Sequence, residues 1–226
     1  DRQQAHLEEN ASAQGMNRYR DMAVGLLSDP KTKAAFDVHS VDGRIQDRYG
    51  RNAFGWSLLM ARQLVETGVR LVQVNLGNNE TWDTHQSAFP SLKDYLFPPT
   101  DRAVSALLDD LEERGMLEDT LIVMASEFGR TPKLSTLRGV KLPGRDHWGA
   151  VQSVWLAGGG IRPGLQYGET DDFCFNIVRD PVHVHDLNAT LLHQLGFDHE
   201  RLTYRFQGRD YRLTDVHGRI VREILG

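Results

Sequence analysis

Apolar residues recur at two different periods along this chain. Met16, Tyr19, Met22, Ala23 and Leu26 fall three or four apart and predict a helix, which Ser28-Asp29-Pro30 should stop. The chain opens, at Asp1 to His6, within what reads as a polar helix, with no basic and apolar leader ahead of it. Phe54, Leu58, Leu59, Ala61, Leu64 and Val65 predict a second helix over 53–67, closed by Gly68. Val104, Leu107, Leu108 and Leu111 predict a third over about 100–114, with Gly115 as its C′ residue. Between these lie short β-branched runs. Residues 70–76, 121–125 and 151–157 read as strands, the last ending in Gly158-Gly159-Gly160, a turn.

Residues 165–180 read as an irregular or hairpin excursion and 183–195 as a helix. Two short strands are expected within 203–214 around Gln207-Gly208-Arg209, then a short helix over 218–225. Helices alternating with strands that are apolar on both faces predict an α/β fold with a mostly parallel sheet covered by helices. No repeat or Pro/Ser-rich linker divides the 226 residues, so one domain is expected, with a helical segment over 1–45 and a motif-bearing region over 46–226.

Composition narrows the partners. With 26 basic and 31 acidic residues the net charge is −5, which argues against a general nucleic-acid binder. No apolar run is long enough to span a bilayer. A single cysteine, Cys174, excludes an internal disulfide framework and a multi-cysteine zinc site. Lying between Phe173 and Phe175, it reads as a packed core thiol.

Sites in open α/β sheets form at the carboxyl ends of strands. Asp83 and His85 follow the strand expected at 70–76, and Glu127 and Arg130 follow the one at 121–125. Asp146 and His147 lie in the loop leaving that second cluster and can fold back over it. Three carboxylates and two imidazoles make a borderline-hard ligand set for a divalent metal. Each pair alone also fits a turn residue with a surface histidine. Trp82 and Trp148 flank two of the clusters, as site walls or as packing under the loops.

The stretch from Phe128 to Arg145 has no acidic residue but carries Arg130, Lys133, Arg138, Lys141 and Arg145. Beside metal ligands such a loop would attract an anion, with arginine able to hold phosphate or sulfate bidentately. Pairing with the acidic helix around 109–113 is the alternative. His183, His185 and His193 read as capping or packing residues of the helix near them.

Three motifs occur in one order: Trp-Asp-Thr-His at 82–85, Glu-Phe-Gly-Arg-Thr-Pro at 127–132 and Gly-Arg-Asp-His-Trp at 144–148. With 47–55, 61–70, 156–161 and 186–196, they resemble a large bacterial family known as domain of unknown function 1501, a relative of sulfatases and alkaline phosphatases. The likeness runs from about residue 45 to the C-terminus and is that of the family's C-terminal portion. It implies an alkaline-phosphatase-like α/β/α sandwich in which Asp and His at strand ends hold metals. It implies that Asp83, His85 and His147 hold one divalent metal (Zn, Mg, Mn or Ca), with Glu127 and Asp146 completing the site or orienting its ligands. Arg130 and Arg145 would bind an anionic small molecule or glycan.

The implied activity is metal-dependent hydrolysis of a sulfate or phosphate ester. Two departures keep an alternative open. Phe128 stands where the superfamily has a ligating His, and no nucleophile is identifiable before residue 70. The alternative is a non-catalytic binding module for anionic glycans or a partner protein. As the latter portion of a larger sandwich, the chain is expected to need upstream strands or another chain to cover its apolar sheet, and the resemblance makes an extracytoplasmic setting an expectation.

Overall fold

A computed structural model describes residues 11–226; the side chains of 11–16, Leu26 and Leu27 are outside what it describes. The polar helix expected at residues 1–10, and the places of Met16 and Leu26 in the first helical stripe, lie outside the described residues. The fold is mixed α/β, and the chain forms two compact units.

The first unit comprises residues up to Thr81 and Tyr95–Leu107. Helix α1 spans Ala11–Ser28. The described part of its expected apolar stripe is turned to solvent, with Tyr19, Met22 and Ala23 all exposed. Pro30 both stops α1 and starts α2, Pro30–Phe36, because a proline at the first helical position has no N–H to leave unsatisfied. Asp29 caps α2 by accepting the Thr32 N–H. Helix α3, Gly43–Tyr49, was not legible as a periodic segment, being only seven residues long.

Helix α4, Ala53–Glu66, matches the expectation within a residue, and Asn52 caps it by accepting the N–H groups of Phe54 and Gly55. Tyr49, Leu58, Leu59, Ala103 and Ala106 are buried, and Gln63 reaches across to donate to the Ala35 carbonyl at 2.8 Å. Residues 70–76 do not form the expected strand. Their side chains alternate in exposure as a strand's would, yet the segment joins none of the sheets among the described residues. Alternation sets a face; only a neighbouring ladder makes a strand.

Helix α5, Phe97–Glu113, starts earlier than expected and follows a π-helical stretch, Ser91–Leu96. It closes at Gly115, whose φ of 66° is the left-handed conformation of a helix C′ glycine.

The second unit comprises Trp82–Asp94 and Leu108–Gly226. Its strands form four separate antiparallel pairs. Strands β1 (Ile122–Met124) and β4 (Trp155–Ala157) do form within the expected runs, but they pair antiparallel, Val123 opposite Leu156. Among the described residues these runs pair antiparallel and no larger parallel sheet forms; what is shown is a mixed α/β fold with short antiparallel strand pairs. Apolar runs report burial potential and do not encode strand direction.

Strands β2 (Gly129–Arg130) and β3 (His147–Trp148) pair with Arg130 opposite His147. β5 (Glu169–Thr170) and β6 (Ile177–Arg179) make the expected hairpin excursion, and β7 (Thr203–Phe206) and β8 (Arg209–Arg212) the expected two strands about Gln207-Gly208. Helix α6, Val184–Gln194, is closed at its start by a capping box of His183 and Asp186, which assigns His183 its structural role. The expected C-terminal helix is reduced to a 3-10 turn, Arg222–Ile224. Cys174 is exposed in the β5–β6 hairpin, with φ 57°, and not packed in a core.

Candidate metal centre

Backbone hydrogen bonds gather three stretches of the second unit. The Arg145 N–H donates to the Thr84 carbonyl, and Ser87 and Ala88 donate to Leu142 and Pro143. Ser135 and Gly144 exchange both backbone bonds, closing the basic loop upon itself. Gly144 is where this loop crosses His85. A Cβ there would strike the His85 carbonyl group and the Gln86 nitrogen, so the crossing requires glycine. Gly129 is similarly pressed on the Val151 carbonyl.

The β2–β3 register then decides which side chains meet. Residues directly opposite in an antiparallel pair project to the same face, and Arg130 opposes His147. Both reach Asp83. His147 Nε2 lies 2.8 Å from Asp83 Oδ1, His85 Nε2 lies 3.1 Å from the same oxygen, and Arg130 Nη1 donates to it at 2.5 Å. Asp83, His85 and His147 offer one ligand atom each, all within 4.8 Å of one another. The hydrogen bond from His147, then that from Arg130, hold the Asp83 carboxyl down to a pKa of about 2.

Behind His85 stands a second carboxylate. His85 Nδ1 lies 2.8 Å from Asp146 Oδ1, and Ser135 Oγ donates to Asp146 Oδ2 at 2.8 Å. These two bonds, His85 first, lower the Asp146 pKa. The Asp146 N–H is held by Thr131 Oγ1 at 3.0 Å. A carboxylate on Nδ1 makes that nitrogen the donor and leaves Nε2 with the lone pair a metal requires. One carboxylate and two imidazoles suit a divalent metal with an open position for water or substrate. The 2.8 and 3.1 Å separations are slightly shorter than the roughly 3.3 Å edge of a tetrahedron with ~2.0 Å bonds, while the whole set spans up to 4.8 Å, so the side chains would have to readjust around an ion.

The remaining candidates take other places. Glu127 is exposed at the bend between β1 and β2, outside this three-residue group. Arg145 Nη1 donates at 2.8 Å to the carbonyls of both Thr131 and Pro132, which fastens the turn after β2. Arg130 is part of the cluster itself, with Nη2 on the Trp82 carbonyl at 3.1 Å. Phe128 packs its ring 4.2 Å from that of His147, centroid to centroid, and the Arg130 guanidinium lies 6.0 Å from the Phe128 ring centre. Trp148 donates Nε1–H to the Phe175 carbonyl at 2.9 Å, a packing role for that indole. Lys133, Arg138 and Lys141 are exposed on the basic loop. Ser135 and Thr131 were missed by sequence reasoning, since an isolated hydroxyl carries no pattern until the chain that faces it is known.

The fold and the site define a mixed α/β protein with a candidate three-residue metal centre, Asp83, His85 and His147. The chain belongs to the family described as "Protein of unknown function (DUF1501)", whose model matches residues 1–225. No curated protein and no solved structure matches it. Among the described residues, no helix is long and apolar enough to cross a membrane.

Proposed function

We propose that this chain is the metal-holding portion of a divalent-metal-dependent hydrolase acting on a sulfate or phosphate ester, and that its complete fold is an alkaline-phosphatase-like α/β/α sandwich. The observation that carries the functional reading is the convergence of Asp83, His85 and His147, with Asp146 fixing the His85 tautomer from behind. The sandwich reading rests on the order of the three motifs. A divalent cation supplies Lewis-acid polarisation of an ester oxygen.

The chain's own residues do the rest. Asp83 contributes the negative charge and is ionised throughout the physiological range. His147 is held against the Phe128 ring, and His85 is held between Asp83 and Asp146. Arg145 and the Ser135–Gly144 bridge hold the loop that presents Asp146 and His147. No residue here is assigned as nucleophile. Zinc is the first ion to test, because two imidazoles and one carboxylate form a zinc-like donor set.

The experiment is metal analysis of the purified protein together with a panel of sulfate and phosphate esters, on wild type and His85→Ala. Bound divalent metal and hydrolysis, both lost in His85→Ala, support the reading; turnover indifferent to His85 refutes it. A second reading, a non-catalytic binding module for anionic glycans or a partner protein, draws on Phe128, whose ring packs on His147 where a ligating His would add a second metal. Calorimetric binding of sulfated glycans with no turnover on the ester panel would favour it.

A further inference from the structure

Asp83 Oδ1 is the meeting point of three nitrogens: His147 Nε2, His85 Nε2 and Arg130 Nη1. The two imidazoles are metal-competent donors. The guanidinium is not, since it carries no available lone pair and keeps its charge at any working pH. Both imidazoles converge on Oδ1, so a cation placed between them and Asp83 meets the oxygen that Arg130 already contacts. Two positive charges on one carboxylate oxygen repel, so a cation at Oδ1 weakens the Nη1 bond and that bond in turn weakens the cation's hold.

Resting on the metal-site reading above, we propose that Arg130 is an internal competitor for the cation and, once displaced, the receptor for a tetrahedral oxyanion at the same site. The displaced side chain would not be free to wander. Nη2 is anchored on the Trp82 carbonyl, the ring of Phe128 lies under the guanidinium, and only a quarter of the Arg130 side chain is exposed. Losing one bond to Asp83 leaves Nη1 in place beside the cation with its donor unspent. Sulfate or phosphate then finds a cation and a guanidinium together, the pairing that binds such anions best. Before the cation enters, Asp83 neutralises that guanidinium and its carboxylate repels an anion. Cation and anion binding are therefore positively coupled, and the coupling is reciprocal.

This differs from a purely structural role, in which Arg130 would clamp Asp83 in position for the metal. The two roles predict opposite signs. Zinc affinity is measured by competition with a chelating dye on the full chain, wild type and Arg130→Gln, with thermal melts to verify that the variant is folded. Sulfate binding is measured by calorimetry on both, with and without zinc.

Expected results are zinc affinity raised about 5-fold or more in Arg130→Gln, and sulfate affinity raised about 5- to 150-fold by zinc in wild type, a rise that Arg130→Gln abolishes. Zinc bound by both proteins with unchanged or weakened affinity in Arg130→Gln overturns the competition and leaves the metal reading standing. Failure of both proteins to bind zinc overturns both readings. If Arg130→Gln does not fold, the wild-type sulfate titrations alone decide: equal sulfate affinity with and without zinc overturns the proposal.

Discussion

The helical unit and the strand-bearing unit hold themselves together by different means. In the first, α2, α3, α4 and part of α5 bury Tyr49, Leu58, Leu59 and Ala103, and Asp29 and Asn52 cap the starts of α2 and α4. In the second, strands are two to four residues long and large apolar side chains stand in solvent: Phe173 is 77% exposed, Val178 62% and Tyr204 72%. Beside a small buried set of Leu111, Ala189 and Val221, its loops are fastened by hydrogen bonds, among them Arg145 on two carbonyls, the Ser135–Gly144 bridge and Asp171 at the hairpin. Chemistry follows the second pattern. A packed core fixes shape with groups that cannot react, whereas loops tied through polar side chains bring reactive groups together and keep them accessible.

The sharpest break of this comparison is a pair of truncations. Leu59→Ala, fully buried in α4, should cost about 2–5 kcal/mol in denaturant unfolding. Val178→Ala, exposed on β6, should cost less than about 0.5 kcal/mol. A comparable loss at Val178 would mean that the β6 face is covered in solution.

Next in size is Gly144→Ala. The added methyl strikes the His85 backbone, so the loop must move away at a cost of about 1–3 kcal/mol, and zinc affinity should fall with it. Full zinc binding by a normally stable Gly144→Ala protein would show that this crossing does not position the site. Asp146→Asn should weaken zinc about 10- to 100-fold while leaving the fold intact, because His85 loses the carboxylate that sets its tautomer. Ser135→Ala, one bond further out, should show a smaller loss in the same titration.

The smallest effect is a pH dependence. Asp171 accepts the N–H of Phe175 and groups of Asn176, and these bonds, Phe175 first, lower its pKa. A lowered folded value means that the stabilisation is complete above the ordinary carboxylate range of about 4 and is lost as pH falls through the lower folded value. Amide exchange at Phe175 and Asn176 should therefore quicken locally on acidification. Exchange unchanged by acid, or unchanged in Asp171→Ala, would remove Asp171 as the tie of that hairpin.

Much of the helical unit was legible because its signals are local. Asn52, the apolar spacing of 54–65 and Gly68 mark α4 without reference to anything distant. Gly115 does the same for α5, and Gln207-Gly208 for the β7–β8 turn. The segment 70–76 was illegible as an unpaired run, and β1 and β4 as an antiparallel pair, because strand existence and direction depend on neighbours. Of the candidate ligands, Asp83, His85 and His147 meet, while Glu127, three residues beyond β1, lies outside their group. Nothing in residue type distinguishes Glu127 from Asp83. The distinction is the loop path.

The sequence by itself determined the bounds of α4 and the end of α5, the reversal of charge sign between residues 128 and 145, and the set of residues able to bind a metal. Helix periodicity, caps and composition are properties of neighbouring residues, readable in order. Only the tertiary structure decided that Arg130 faces His147 across β2–β3, that both converge on one oxygen of Asp83, and that Asp146 stands behind His85. The contacts of Arg130 and His147 with Asp83, and of His85 with Asp146, join residues 47 to 64 positions apart. They depend on register, on the Gly144 crossing and on loop hydrogen bonds, none of which has a one-dimensional signature.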